Sequence, residues 1–318
     1  MKLLCITPVE QIEGFSNRLQ DNFETFFLHR PTKTEVRQEL IKSHQQIIFT
    51  NPNQQGFKID ESLLKDTFVH TICTASTGIN HIDVQYCESK KIRIFSITKE
   101  LETLKKITST AEHAFCLLLT SVRKIIPANE SVTRGEWSWE PYIGRQIKDL
   151  KIGVIGYGRL GKMFSEYCDS FGSDVTVYDP YVSVPDKYRV SNSLEDIFSS
   201  CDAISLHVHV NNETRHMIND KVLDKSKKDL IIINTSRGEI VSEKAIKEAI
   251  LKGKISHYAC DVLENEFEEN LTSLLFSLPS SKVTITPHIG GSTIDAQKIA
   301  YNRVLDLLIN STGEKGIS

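Results

Sequence analysis

The stretch Lys151-Ile152-Gly153-Val154-Ile155-Gly156-Tyr157-Gly158-Arg159-Leu160-Gly161 decides the fold. An apolar run ends in a complete G-x-G-x-x-G, and Met163, Phe164 and Tyr167 follow at helical spacing. A strand that turns sharply into a helix needs this pattern. Gly156 permits the tight turn, Gly158 lets a pyrophosphate approach the backbone, and Gly161 lets the helix lie close to the strand. The helix start then offers unpaired amides and a partial positive charge to phosphates. A second apolar run, Val175–Tyr178, ends at Asp179, eighteen residues past Gly161. An acid at that point meets the adenosine ribose hydroxyls. It also repels the 2′-phosphate of NADP, so the sequence predicts NAD(H) binding.

Downstream, near-continuous apolar runs recur at Ala203–Leu206, Leu230–Asn234, His257–Val262 and Val283–Thr286, as expected of parallel strands covered on both faces. The clearest connecting helix is capped by Ser242, buries Ala245, Ile246, Ala249 and Ile250, and stops at Gly253. Upstream, shorter β-rich runs occupy Leu3–Thr7, Gln46–Thr50, Val69–Thr74 and Ile92–Ser96. Between the two sets, Ser109-Thr110-Ala111-Glu112 has capping-box spacing. Ala114, Phe115, Leu118, Leu119 and Val122 form the helical stripe behind it. This alternation predicts two doubly wound α/β sections, the second larger, with a final amphipathic helix over Ser292–Asn310.

Composition narrows the function. The 318 residues suit two domains, and 38 basic against 41 acidic side chains give a formal charge of −3. That is no electrostatic case for nucleic acid or an anionic membrane. No apolar run is long enough to span a bilayer, and Met1–Pro8 reads as a buried strand rather than a leader. The seven cysteines never form C-x-x-C. They read as free thiols in a reducing cytoplasm, with neither disulfides nor a metal site.

Three strand ends carry further polar residues: Asn234-Thr235-Ser236-Arg237-Gly238, Asp261-Val262-Leu263-Glu264-Asn265-Glu266 and Thr286-Pro287-His288-Ile289-Gly290-Gly291. Such ends line the ligand crevice of an open parallel sheet. Singly, Arg237 reads as a surface ion pair, Glu266 as a solvated acid and His288 as a core histidine. Together, behind the glycine fingerprint and after Ser76-Thr77-Gly78-Ile79-Asn80-His81-Ile82-Asp83, they resemble the D-isomer-specific 2-hydroxyacid dehydrogenase family. The resemblance covers essentially the whole chain and is nearest to the phosphoglycerate dehydrogenase-like branch.

The resemblance implies a flavodoxin-like substrate domain, residues 1–103 and 289–318, interrupted by a Rossmann NAD-binding domain, 104–288. It implies hydride transfer between NAD(H) and a small 2-keto or D-2-hydroxy acid. His288 would be the general acid and base, Glu266 would orient it, and Arg237 would grip the substrate with its guanidinium fork. Thr77, Gly78 and Ile79 would bind substrate, the last two through backbone amides. Arg159 and Leu160 would lie at the pyrophosphate. Thr77, Val208, Thr235, Ser236, Asp261 and Gly291 would border the rest of the cofactor. The arm carrying Trp137 and Trp139 would cross a homodimer contact.

The pattern also departs from the family. Phe267 stands where a proline usually follows the catalytic glutamate. His207 and His209, on one face of a strand end, replace a His-x-Pro pattern and read as pocket lining or packing. The stretches Thr50-Asn51-Pro52-Asn53-Gln54-Gln55 and Thr74-Ala75-Ser76-Thr77 contain no cation, and Lys58 is the nearest base. A phosphate needs charged donors or a ring of amides, so an unphosphorylated substrate is expected. The chain length predicts no regulatory extension. The alternatives are 3-phosphoglycerate dehydrogenase proper, a non-catalytic NAD(H)-sensing corepressor, and phosphite oxidation; Glu266 argues against formate oxidation.

Overall fold

In the computed structural model, which describes residues 1–51, 56–268 and 271–313, the apolar runs build two parallel sheets. The first contains β1 (Lys2–Cys5), β2 (Glu24–Phe27), β3 (Ile47–Thr50), β4 (Thr71–Thr74) and β5 (Arg93–Ser96), in the order β2-β1-β3-β4-β5. Successive strand residues face opposite sides, and both sides are buried. Leu3, Cys5 and Phe49 share a core with Phe15, Leu19, Val304 and Leu308. Leu4, Ile48 and Ile72 face the other way, toward Val36 and Leu40.

The second sheet contains β6 (Lys151–Ile155), β7 (Asp174–Tyr178), β8 (Arg189–Val190), β9 (Ala203–Leu206), β10 (Leu230–Asn234), β11 (Ile255–Cys260) and β12 (Val283–Ile285). Its order is β12-β11-β10-β9-β6-β7-β8, with every pair parallel. Chain progression reverses between β6 and β9, which opens a crevice at their carboxyl ends. Ile204, Ile232 and Tyr258 bury one face, while Ala203, Ile233 and Ala259 bury the other with Leu118. The chain thus has the expected fold class, two parallel-sheet α/β domains.

Contacts divide the chain into unit 1, Met1–Ile107 with Phe267–Leu271 and Gly291–Ser318, and unit 2, Thr108–Glu266 with Thr272–Gly290. The crossings therefore differ from the predicted 103/104 and 288/289. Leu104 and Ile107 are buried in the unit 1 core, which draws the first boundary downstream. The amides of Ile289 and Gly290 donate to the Asp261 carboxylate, which holds those residues to unit 2. Residues 314–318 of the predicted substrate domain lie outside the described residues.

Two helix caps were read from sequence, and one needs correction. Ser242 caps Glu243–Leu251 by accepting from the Ala245 amide. The helix Ser109–Val122, however, begins one residue early, so Thr108 is its cap and makes no side-chain cap bond. Glu112 accordingly meets the Thr108 hydroxyl, at 2.5 Å, in place of a backbone amide.

Candidate active site

The glycine loop between β6 and the helix Arg159–Ser170 forms as its spacing requires. Gly156 has φ 92, and a Cβ there would lie 2.6 Å from the His207 carbonyl oxygen. A Cβ on Gly161 would lie 2.0 Å from the Gly156 carbonyl oxygen, so the helix sits tightly on the turn. Above Gly158 the space is open for 4 Å. The helix begins at Gly158 with no side-chain cap and no acid in its first turn, which leaves its positive end to an outside anion. Asp179, at the end of β7, accepts from the Tyr157 amide at 2.7 Å and from the Tyr181 and Val182 amides at 2.8 and 3.1 Å.

Across the crevice, the hydroxyls of Ser109 and Thr235 are buried without a hydrogen-bond partner, a costly state in the absence of a ligand. Ser236 spends its hydroxyl on the Leu206 carbonyl and Asn234, tying β9 to β10. Val208 is half-buried against the unit 2 core. An open glycine turn, a carboxylate at the end of β7 and orphaned hydroxyls together fit NAD(H). His207 and His209 do not share a strand face, because β9 ends at Leu206. His207 lies against Phe164 and bonds Ser205; burial pushes its pKa down to about 3. His209 is exposed.

Glu266 and His288 meet at the far side of the sheet, with Glu266 Oε1 2.9 Å from His288 Nδ1 and both side chains mostly buried. Phe267 in place of proline therefore leaves the acid where the histidine needs it. His288 has φ 53, a left-handed conformation costing roughly 1–3 kcal/mol outside glycine. Asp261 holds that turn. Its carbonyl takes the His288 amide at 2.9 Å, and its carboxylate takes the Ile289 and Gly290 amides at 2.8 and 2.7 Å.

Behind it stand the Thr286 hydroxyl, 2.5 Å away, and His113 Nε2, at 3.4 Å. Burial works to raise the Asp261 pKa, but His113, Thr286 and the two amides outweigh it and hold the carboxyl below its usual range. Thr286 spends its proton on Asp261, so His113 Nε2 is the donor in their 2.9 Å contact. Motif reading found Asp261 but not this support. Thr286 was inside a quoted motif, and His113 follows directly on the predicted cap.

Arg237 is half-buried and donates to the Ser236 carbonyl at 2.6 Å. Burial lowers its pKa, opposed by the charges of Glu266 and then Glu239. Unit 2 thus carries an arginine, a carboxylate and a carboxylate-bonded histidine beyond the carboxyl ends of three neighbouring strands, β10, β11 and β12. Thr77, Gly78 and Ile79 belong to unit 1, in the loop after β4, and Gly291 opens its last segment. Of the loop predicted to lack cations, residues 52–55 lie outside the described residues; Lys58 is exposed.

Residues 115–290 match the family described as "D-isomer specific 2-hydroxyacid dehydrogenase, NAD binding domain". A hydroxypyruvate reductase of Thermotoga maritima is 33% identical over 243 residues, 76% of this chain and 77% of that protein. A D-3-phosphoglycerate dehydrogenase of Mycobacterium tuberculosis is 33% identical over 238 residues, 74% of this chain but 43% of that protein. Among solved structures, the D-lactate dehydrogenase of Aquifex aeolicus complexed with NAD and lactic acid is 28% identical. It superposes with a TM-score of 0.81 over 99% of this chain and 96% of its own.

Proposed function

The chain belongs to the D-isomer-specific 2-hydroxyacid dehydrogenases, NAD-dependent oxidoreductases, and on that footing we propose how its side chains divide the reaction. Bound NADH supplies the hydride. A carboxylate can only accept, so the proton between Glu266 and His288 resides on Nδ1. That leaves the opposite ring nitrogen, Nε2, to protonate the keto oxygen and, in reverse, to deprotonate the hydroxyl. Arg237 holds the substrate carboxylate or keto oxygen, a task suited to a guanidinium that stays charged despite partial burial. The Gly78 and Ile79 amides take the carboxylate. The contact between Glu266 and His288, on a turn pinned by Asp261, carries this reading.

The substrate is a small unphosphorylated 2-keto acid. The cation-free loops support this, as does the name of the Thermotoga relative, most of whose length the chain spans. The similarity to phosphoglycerate dehydrogenases favours 3-phosphoglycerate as the second reading. The free thiols are those of a protein working in a reducing cytoplasm, and no helix among the described residues is long and apolar enough to cross a membrane. The working assembly is a homodimer.

The test follows NADH oxidation over hydroxypyruvate, glyoxylate, pyruvate and phosphohydroxypyruvate. Turnover of an unphosphorylated acid is expected, with kcat lowered at least about a hundredfold in His288→Ala, the scale of a lost general acid. Turnover of phosphohydroxypyruvate alone would select the second reading. Tight NADH binding without turnover of any acid would sink the enzymatic one.

A further inference from the structure

In the loop after β4, a chain of hydrogen bonds has a proton order that chemistry alone determines. Ser76 Oγ donates to the Gly78 carbonyl at 2.7 Å, lies 2.9 Å from Thr74 Oγ1, and Thr74 Oγ1 lies 3.0 Å from His81 Nε2. A carbonyl only accepts, so the single Ser76 proton is committed to Gly78. Ser76 must then accept from Thr74, and Thr74 from His81. The relay runs one way, His81 to Thr74 to Ser76 to the Gly78 carbonyl. Thr74 and His81 are 0% and 2% exposed, so water does not readily substitute for them.

The relay also orients the peptide between Gly78 and Ile79. In a trans peptide the carbonyl and the next amide point in opposite directions, and the chain has no cis peptide bond among the described residues. Drawing the Gly78 carbonyl onto Ser76 turns the Ile79 N–H away from the relay. Neighbouring carbonyls are engaged as well: that of Thr77 by the Thr98 hydroxyl at 2.9 Å, and that of Ile79 by the Ile82 amide at 2.9 Å. The carbonyls of Thr77, Gly78 and Ile79 are therefore all spent within unit 1. The amides of Thr77, Gly78 and Ile79 donate to no acceptor among the described residues, which leaves three consecutive N–H groups to an outside acceptor such as an anion.

We propose that Ser76, backed by Thr74 and His81, is a positioning residue that holds the Gly78–Ile79 peptide so that the Ile79 N–H faces the substrate carboxylate. The proposal rests on the reading above that this amide receives the carboxylate. Without the Ser76 hydroxyl, the peptide can rotate and set a carbonyl lone pair against the anion.

The test compares Ser76→Ala, Ser76→Thr and Ile79→Pro on the best substrate among hydroxypyruvate, glyoxylate and pyruvate. If only about a tenth of Ser76→Ala keeps the competent peptide orientation, its keto-acid KM rises about tenfold. Its kcat should stay within about twofold, because the carboxylate is gripped equally in ground and transition states. The KM for NADH and the melting temperature should stay at the wild-type values, and Ser76→Thr should restore the keto-acid KM.

Ile79→Pro removes the N–H itself and should raise the same KM. If it does and Ser76→Ala does not, the relay is overturned while carboxylate binding at Ile79 stands. If Ile79→Pro changes nothing, both fall. Equal KM rises in Ser76→Ala and Ser76→Thr, or loss of NADH binding in either, would mean loop packing and overturn the proposal.

Discussion

At Asp179, spacing from the glycines was enough to locate an acid at the end of β7, and the structure adds a second task. Its carboxylate binds the amides of Tyr157, Tyr181 and Val182, so the side chain expected at the ribose also braces the glycine loop. Asp179→Ala should therefore do two things. Preference for NADH over NADPH, as the ratio of kcat/KM values, should fall about tenfold or more, about 1.4 kcal/mol of lost discrimination. The KM for NADH should also rise several-fold as the loop slackens, and steady-state assays with both cofactors read the two effects separately. An unchanged preference would shift discrimination to another group, such as Glu213, whose carboxylate takes the Tyr181 hydroxyl at 2.5 Å. The pairing of Glu266 with His288 was foreseeable because each sits in a local motif. The support behind Asp261 was not, since His113 and Thr286 reach it from elements 173 residues apart in sequence.

Among elements, the buried strands of unit 2 were read closely, since continuous apolar runs are what two covered faces require. The runs at Lys151–Ile155, Ala203–Leu206 and Leu230–Asn234 appear with the boundaries expected. Two edge strands, β2 and β8, were missed, whereas the edge strands β5 and β12 were read. The apolar part of β2 is the partly buried pair Phe26 and Phe27, and β8 is two exposed residues, so neither has the long buried run that marks the centre of the larger sheet. The helix Arg159–Ser170 permits a test of how the glycine motif divides its labour. Gly158→Ala adds a methyl where nothing stands within 4 Å, so stability should change by about 1 kcal/mol or less. The same methyl intrudes where pyrophosphate would lie, and NADH affinity should drop at least about tenfold. Gly161→Ala drives a methyl into the Gly156 carbonyl and should cost about 1–3 kcal/mol of stability as well as NADH binding. Chemical denaturation and NADH fluorescence titration distinguish the two variants. Equal destabilisation would mean that Gly158 serves the fold rather than the ligand.

At the scale of the molecule, the interrupted arrangement was legible only through family likeness. An amphipathic helix over Ser292–Asn310 announces that one face is buried but not against what; Ala300, Val304 and Leu308 place that face in the unit 1 core. A similar question surrounds the arm of unit 2. The helix Ile125–Thr133 is followed by a segment that returns beside it, with Lys124 Nζ donating to the Pro141 carbonyl at 3.2 Å. Together they expose Trp137 at 90%, Trp139 at 72% and Ile143 at 62%, with Ile125 and Val132 also open to solvent. Each such side chain forgoes roughly 1.5–3 kcal/mol relative to full burial. A large apolar surface left open on one copy is the usual mark of an interface. In a two-fold homodimer the same patch serves both copies, so each buried contact counts twice. Sedimentation velocity should accordingly find the wild type at twice the 36.0 kDa chain mass. Trp137→Ser/Trp139→Ser should sediment as a monomer at micromolar concentration while keeping its NADH affinity, because neither tryptophan belongs to the glycine loop or the histidine turn. A wild type that sediments as a monomer and keeps full kcat on dilution would show that the arm is merely exposed and that one chain is the working enzyme.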